Sequence, residues 1–134
     1  MALRREMLRQ VGGFDPGFFP AYFEETDLCW RARRRGWRVA VASASRLRHL
    51  EAAASGKLSA DFLRHYHRNR IHFVLKNYGW RSFWNQFWPA ERQWIRSGNA
   101  TESLPALRYA WLTAAGSLPR VLWSRWRQGP RLSV

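Results

Sequence analysis

The chain has 134 residues, a formal net charge of +14 and a single cysteine, Cys29. This length allows one modest domain or part of a larger protein, and an aromatic content of 16% excludes a disordered chain. One cysteine excludes an internal disulfide and a thiolate metal cluster. Lysine occurs only at Lys57 and Lys76, so the positive charge is almost all arginine. The charge predicts a polyanionic partner such as nucleic acid, anionic lipid or a phosphorylated substrate.

The first residues predict the end of a strand over residues 1–5 and a short helix over Arg5–Val11. Gly12 and Gly13 favour the end of that helix, because glycine adopts the left-handed conformation that follows a helix C-terminus. Residues 14–20 then read as a loop with a turn at Asp15-Pro16-Gly17. We expect no signal peptide, because two arginines lead into a polar amphipathic stretch.

A second helix is predicted from about Glu25 to Arg35, with acids in its first turn and arginines in its last. This order complements the helix dipole at both ends, and Gly36 follows. Two short strands are predicted next, over residues 37–42 and 46–50. The chain thus supplies at most three short strands, fewer than a complete α/β enzyme needs.

Composition changes after the small-residue loop at residues 51–57, so we divide the chain into residues 1–58 and 59–134. Ser59 is placed to cap a long helix that ends near Asn77. One face of this helix repeats at three- and four-residue spacing and consists of Leu63, His67, Ile71, Val74 and Tyr78. Further on, Ser103-Leu104-Pro105 and Ser117-Leu118-Pro119 each resemble a helix start and predict two short helices.

The region after residue 79 is rich in tryptophan and arginine, and it predicts amphipathic helices. One aromatic face contains Trp80, Trp84, Phe87 and Trp88, and a second stripe contains Leu104, Leu107, Trp111, Ala114, Leu118 and Leu122. Such helices can lie on an anionic membrane surface, or their stripes can pack on another domain. The longest uncharged stretch, residues 109–119, is too short to span a bilayer.

Three of the nine acids of this basic chain fall at Glu24, Glu25 and Asp27, after the aromatic pair Tyr22-Phe23. A carboxylate near a helix N-terminus and shielded by aromatic rings can act as a general base. The same acids could instead serve only to complement the helix dipole. The spacing alone leaves both interpretations open.

The four histidines give weaker signals. His49 ends the second predicted strand, where a structural role competes with a metal or phosphate role. His65, His67 and His72 lie on the long helix among arginines, which favours solvated or packing roles. Arg68 and Arg70 on the same helix are candidate phosphate contacts or part of a solvated face.

Several of these motifs together resemble a known family. The first half of the chain is similar to the C-terminal half of a family 2 glycosyltransferase catalytic domain. The similarity lies in a series of motifs in this order: Arg4-Arg5-Glu6, Val11-Gly12-Gly13-Phe14-Asp15, Tyr22-Phe23-Glu24-Glu25-Thr26-Asp27, Gly36-Trp37-Arg38-Val39 and His49. The bacterial rhamnosyltransferase-like group that builds surface polysaccharides is the most similar. The later Arg68-Asn69-Arg70 and Lys76-Asn77-Tyr78 also resemble the helix that follows, so the resemblance covers residues 1–78.

The resemblance implies an α/β chain, in which a partial GT-A fold with few strands is followed by a mostly helical tail. It further implies inverting transfer of a sugar from a nucleotide-sugar to a polysaccharide or lipid-linked acceptor, with Mg²⁺ or Mn²⁺ as cofactor. Glu25 stands where the family places its base, commonly as Asp, while Glu24 and Asp27 would orient the acceptor or the base. His49 matches the histidine that helps to hold the metal or diphosphate, although Glu51-Ala52-Ala53 replaces the glycines that usually follow.

The resemblance also implies what the chain lacks. The nucleotide-binding half of the family, with its Asp-x-Asp metal site, would precede Met1, so we expect the chain alone to be inactive. We expect a cytoplasmic location, with peripheral attachment to the inner face of the plasma membrane. A small basic module that binds nucleic acid or membrane without catalysis is the alternative. It has no recognised nucleic-acid motif and leaves the acidic cluster unexplained, so no specific nucleic acid is expected.

Overall fold

A computed structural model describes residues 1–46, 59–98, 100 and 103–127. Its α-helices are α1 (Arg5–Val11), α2 (Glu24–Arg34), α3 (Ala60–Asn77), α4 (Trp80–Ser82), α5 (Trp88–Arg96) and α6 (Leu104–Arg127). A 3₁₀ turn at Pro16–Phe18 lies between α1 and α2, and a π-helical turn at Phe83–Phe87 joins α4 to α5. The described residues are therefore arranged as packed helices with short connections.

The first two helices lie where the sequence predicts them. Helix α1 has the predicted bounds and ends at Gly12, whose φ of 78° is in the region that glycine enters without strain. Helix α2 begins and ends one residue before the predicted limits, and Gly36 follows it with a φ of 82°. In the turn between the helices, the Asp15 carboxylate accepts a hydrogen bond of 2.8 Å from the Gly17 N–H. These features are local, which explains why sequence patterns identify them.

Helix α3 is the central element. The Ser59 hydroxyl accepts a hydrogen bond of 3.1 Å from the Phe62 N–H, so the predicted cap is confirmed. The predicted face is buried or half-buried, with Ile71 fully so, and its last turns are buried on every side. The C-terminal half of α3 therefore lies inside the protein rather than on its surface.

The α4–α5 segment contains the π-helical turn immediately before Pro89. Proline has no N–H for the usual helical hydrogen bond, and its ring crowds the preceding turn. A local π geometry is one way for a helix to continue past such a disturbance. Half-buried Phe87 and Trp88 pack on the core, while Trp80 and Trp84 are exposed.

The prediction of two short C-terminal helices was wrong, because α6 is continuous from Leu104 to Arg127 with Pro119 inside it. Ser117 does not cap a new helix, since its hydroxyl donates to the Ala114 carbonyl at 3.1 Å. Helix α6 continues past Pro119 because it packs along α3 on both sides of the proline. Val121, just beyond the proline, is only 1% exposed. Tertiary packing thus overrides a local stop signal.

No strand is present in the described residues, including residues 1–5 and 37–42, where strands were predicted. A strand needs a paired neighbour, and no described segment lies alongside either stretch in that way. Val41 is accordingly 93% exposed. Residues 47–50 of the third predicted strand lie outside the described residues. The partial GT-A fold therefore stays a prediction.

Two apolar clusters hold the helices together. The larger lies between α3, α6 and the π-helical turn and includes Phe18 from the loop before α2. The smaller joins α1 to α2 through Met7, Leu28 and Ala32. Within the described chain, every helix is too short or too polar to cross a membrane.

Candidate functional site

The acidic cluster occupies the start of α2, which two residues in an unusual conformation hold in place. Tyr22 and Phe23 have φ values of 80° and 71°, a region that costs non-glycine residues of order 1 kcal/mol or more. Their rings pack against Phe62, Tyr66 and Phe73 of α3. Phe23 is the N-cap and its side chain makes no capping hydrogen bond. The aromatic pair therefore positions the helix start through packing on α3.

Helical periodicity separates the three acids. At 100° per residue, Glu24, Asp27 and Arg31 share one face of α2, and this face is turned towards α3. Glu25 lies on the opposite face together with Leu28, Cys29 and Ala32. The cluster thus divides between a face that packs on α3 and a face that does not.

Asp27 is 0% exposed and completely engaged. Its carboxylate accepts hydrogen bonds from Arg31 Nε at 2.7 Å and Asn77 Nδ2 at 3.0 Å, and Lys76 Nζ lies 2.8 Å away. Because a buried charge is costly unless it is paired and hydrogen-bonded, this arrangement compensates Asp27 fully. Asp27 therefore holds the start of α2 against α3 and is not accessible to a substrate from solvent.

Lys76 connects the acidic helix to the preceding loop. Its side chain is 2% exposed, and Nζ lies 2.6 Å from Asp15 Oδ2 as well as close to Asp27. Burial acts to raise the pKa of Asp15, but the hydrogen bonds from Lys76 and the Gly17 N–H outweigh it and hold that pKa below its usual value. One buried ammonium thus joins α3, the loop and α2.

Arg31 performs a similar role for the paired glycines. Besides binding Asp27, its guanidinium donates to the Val11 carbonyl through Nη1 and to the Gly13 carbonyl at 2.7 Å through Nη2. The end of α1 is therefore fastened to α2 by one forked side chain, which suits the planar geometry of arginine.

Two neighbouring residues of α3 hold the carbonyls of the loop. Asn69 is 0% exposed and its Nδ2 lies 2.6 Å from both the Phe18 and Ala21 carbonyl oxygens. Arg68 donates to the Phe19 carbonyl at 2.8 Å. Arg68 therefore has a structural contact in place of the solvated or phosphate role considered from the sequence. Sequence reasoning assigned no role to Asn69, Lys76 or Asn77. For Lys76, its rarity in an arginine-rich chain was an available signal.

Glu24 and Glu25 are the acids of the cluster that these ion pairs and hydrogen bonds do not involve. Glu25 is exposed and forms no ion pair or hydrogen bond with another described residue. Glu24 is half-buried, and its Oε2 is buried without a hydrogen-bond partner in the described part of the chain. These two carboxylates can accept hydrogen bonds from a ligand.

A cleft of about 960 Å³ lies beside the Glu25 face of α2. Leu28, Cys29 and Ala32 line it from the helix, and residues 1–4 and 36–42 contribute much of the rest. Glu25 precedes Cys29 by one turn on the same face of α2, although Glu25 itself is not among the residues that line the cleft. The residues that line the cleft are mostly apolar, and the polar ones include Arg4, Cys29 and Arg38.

Of the histidines in the described part of the chain, His72 lies near Asp15 and Lys76, whereas His67 packs elsewhere. His49 lies outside the described residues. His67 packs between Tyr66 and Trp94, and burial, followed by the nearby Arg70 charge, lowers its pKa to about 4. Burial also lowers the pKa of His72, whose ring meets Phe18 edge-on. His67 and His72 thus have the packing role expected for them, and no group of three or more potential metal ligands occurs in the described chain.

Arg70 belongs to a separate buried pair on the far side of α3. Its guanidinium binds the Glu91 carboxylate through two hydrogen bonds of 2.7 Å and lies over the rings of Phe87 and Trp94. This pair fastens α5 to α3, so Arg70 has a structural role rather than a phosphate contact.

Comparison with known proteins gives one kind of relative. Two curated proteins, from two strains of Mycobacterium tuberculosis, are both named N-acetylglucosaminyl-diphospho-decaprenol L-rhamnosyltransferase, and each is 29% identical to this chain over 100 residues. The match covers 74% of the chain and 30% of each relative, so the chain spans less than a third of their length. No family model and no solved structure matches. The similarity supports a glycosyltransferase-like relationship for this chain.

Proposed function

We propose that this chain is the acceptor-side part of an inverting glycosyltransferase of the family 2 type, with Glu25 as its general base. One observation carries the proposal. Glu25 is exposed at the start of α2, one turn before Cys29 of the cleft, while Asp27 of the same helix is hydrogen-bonded to α3. The helix start is therefore fixed in space, and of the two carboxylates left without a partner there, Glu25 is the exposed one that can meet a substrate.

The proposed step moves one proton and exchanges one bond. The Glu25 carboxylate takes the proton of the acceptor hydroxyl as its oxygen forms a bond to the anomeric carbon of the donor sugar. The bond from that carbon to the diphosphate oxygen breaks, and the nucleoside diphosphate leaves with the electron pair. Attack opposite the leaving group inverts the configuration. Asp27 keeps α2 in place through Lys76 and Arg31, and Glu24 orients the acceptor or the base.

The resemblance assigns Mg²⁺ or Mn²⁺ to such an enzyme, where the ion would stabilise the diphosphate. The described residues do not by themselves fit a divalent ion, because they contain no suitable group of ligands. We therefore assign the ion to the nucleotide-binding part of the enzyme, with His49 as the residue of this chain proposed to contribute. No step of the proposal depends on it.

We further propose that the chain alone does not turn over substrate. Its sequence has no Asp-x-Asp motif and no glycine-rich phosphate loop. The exposed apolar residues beside the cleft, Leu3, Val39 and Val41, offer a surface on which a nucleotide-binding part could pack with strand pairing. In this proposal the GT-A fold is completed there.

The acceptor is proposed to be a polysaccharide or a lipid-linked sugar. The names of the relatives specify an N-acetylglucosaminyl-diphospho-decaprenol acceptor and a rhamnosyl group. A prenol-linked acceptor resides in a membrane, which agrees with a proposed location on the inner face of the plasma membrane. The donor would be a nucleotide-activated sugar such as rhamnose.

A chimera tests the role of Glu25. This chain would replace the matched 100-residue segment of the mycobacterial relative, and rhamnosyl transfer to a short-chain N-acetylglucosaminyl-diphospho-prenol would be measured. Removal of a general base costs about 10²–10⁴-fold, so Glu25→Gln should lower kcat by that range, whereas Glu25→Asp should retain much of the activity. Glu6→Gln is the matched control, because Glu6 is an exposed acid in the first turn of another helix.

A second experiment assays the isolated chain. It should show no turnover with nucleotide-rhamnose, Mg²⁺ and the same acceptor, and turnover that Glu25→Gln abolishes would contradict the proposed inactivity. Equal activity of the Glu25→Gln and Glu6→Gln chimeras would exclude Glu25 as the base. In that case Glu24→Gln would be the next substitution to assay.

A further inference from the structure

Helix α6 is apolar on two opposite sides. Its inner side packs on α3 and contains Ala106, Leu107, Ala110, Ala114 and Val121, all buried. Four members of the stripe that the sequence offered as a possible membrane face are buried or pack on the core instead: Leu107, Trp111, Ala114 and Leu118. The outer side is exposed, and Leu112 at its centre is 75% exposed.

The outer side forms a regular stripe. Pro105, Leu112, Pro119 and Trp123 follow one another at spacings of seven and four residues, which align on one face of a helix. All four are exposed, Trp123 by 59%. At about 1.5 Å per residue the stripe is roughly 27 Å long. Exposed apolar residues aligned over this length on the solvent side of a protein indicate an interaction surface.

The charges beside the stripe are all of one sign. Arg108 and Arg120 are exposed and flank it, and α6 contains no acid along its whole length. The surface therefore combines aliphatic, indole and guanidinium groups.

We propose that the outer side of α6 lies flat on an anionic lipid surface. Arginines beside an apolar stripe complement anionic headgroups, and tryptophan favours the region between headgroups and acyl chains. A second copy of this chain is a less suitable occupant, because two molecules of net charge +14 repel each other. The inference concerns a face that lies away from Glu25 in the sequence and does not depend on glycosyl transfer.

Vesicle sedimentation tests the proposal with the full chain. Wild type should sediment with phosphatidylcholine vesicles that contain phosphatidylglycerol at low salt, and much less with phosphatidylcholine alone or at high salt. Leu112→Glu should lower the partition coefficient about tenfold or more, because it removes the centre of the stripe and adds a negative charge. Val41→Glu is the matched control, since Val41 is also exposed and apolar but lies outside α6.

The two arginines beside the stripe allow an independent test in the same vesicle assay. The double variant Arg108→Gln/Arg120→Gln should weaken binding to anionic vesicles by about tenfold or more and leave the weak binding to neutral vesicles unchanged. Circular dichroism should confirm that each variant remains folded, as expected for exposed positions.

Three outcomes would overturn the proposal. They are failure of wild type to bind anionic vesicles at low salt, equal losses for Leu112→Glu and Val41→Glu, and a concentration-dependent dimer that Leu112→Glu dissociates. The last would assign the stripe to a second copy of the chain. None of these outcomes bears on Glu25, whose role the chimera measures separately.

Discussion

Lys76 of α3 and Asp27 of α2 form an ion pair at 2.8 Å with neither side chain exposed by more than 2%. The same ammonium binds Asp15 at 2.6 Å, so two acids from separate segments share one buried cation. The ion pair between Lys76 and Asp27 distinguishes the acids at the start of α2, because it engages Asp27 and not Glu25. Asp27 holds α2 against α3, whereas Glu25 on the same helix is exposed.

Removal of the shared cation should destabilise the fold strongly. Lys76→Met leaves two carboxylates without their cation, and breaking a buried pair from one side costs about 3–5 kcal/mol. Arg64→Gln is the control, because it breaks an ion pair with Asp61 whose side chains are 56% and 80% exposed, and such pairs contribute at most about 1 kcal/mol. Urea denaturation measures both free energies of unfolding. Similar losses would contradict the role assigned to Lys76.

Two of the three acids of α2, Asp27 and Glu25, should differ in their contribution to stability. Asp27→Asn should lower the free energy of unfolding by about 3 kcal/mol or more, because Arg31 and Lys76 lose a buried partner. Glu25→Gln should change it by less than about 0.5 kcal/mol, because Glu25 is exposed. Thermal and denaturant unfolding of both variants decide this. A stability loss in Glu25→Gln would show that Glu25 is a structural residue instead.

Acidification should weaken the fold before the carboxylates titrate. Burial lowers the pKa of His67 from 6.5 to about 4, so the unfolded chain takes up a proton near pH 6.5 that the folded chain does not bind. Stability is therefore fully present above pH 6.5 and falls as the pH drops towards 4, by roughly 2–3 kcal/mol.

Histidine NMR provides the measurement, and His67→Gln identifies the resonance. The same variant should flatten the dependence of stability on pH in that range, with the lowered pKa of His72 supplying a remaining slope of the same sign. A His67 ring that titrates near 6.5 in the folded protein would contradict the prediction.

The two prolines of α6 should respond differently to substitution. Pro119 lies inside the helix, where proline costs about 3 kcal/mol relative to alanine, so Pro119→Ala should stabilise the protein by about 1–3 kcal/mol after local relaxation. Pro105 lies in the first turn, where the missing N–H matters little, and Pro105→Ala should be nearly neutral. Melting temperatures compare the two. Destabilisation by Pro119→Ala would indicate that the proline shapes a contact that α6 needs.

The sequence was a good guide wherever the signal was local. Ser59, Gly12 and the acid-to-arginine order of α2 identified three helices to within a residue. It failed at Ser117 and Pro119, because contacts of α6 along α3 outweigh a stop signal. Strands at residues 1–5 and 37–42 were predicted from side-chain pattern alone, but pairing also requires a neighbour that the described chain does not supply. His49 and the domain boundary near residue 58 remain predictions.

The sequence by itself determined that an acidic cluster starts a helix beside two aromatic residues, since capping, charge order and periodicity are encoded within one or two turns. Only the tertiary structure decided which acid is free, because burial depends on Lys76 and Asn77 of a distant helix. The same holds for α6, both sides of which are apolar in sequence. Packing on α3 covers one side and leaves Leu112 on the other exposed. Such choices arise from contacts between segments far apart in the chain, which no local pattern records.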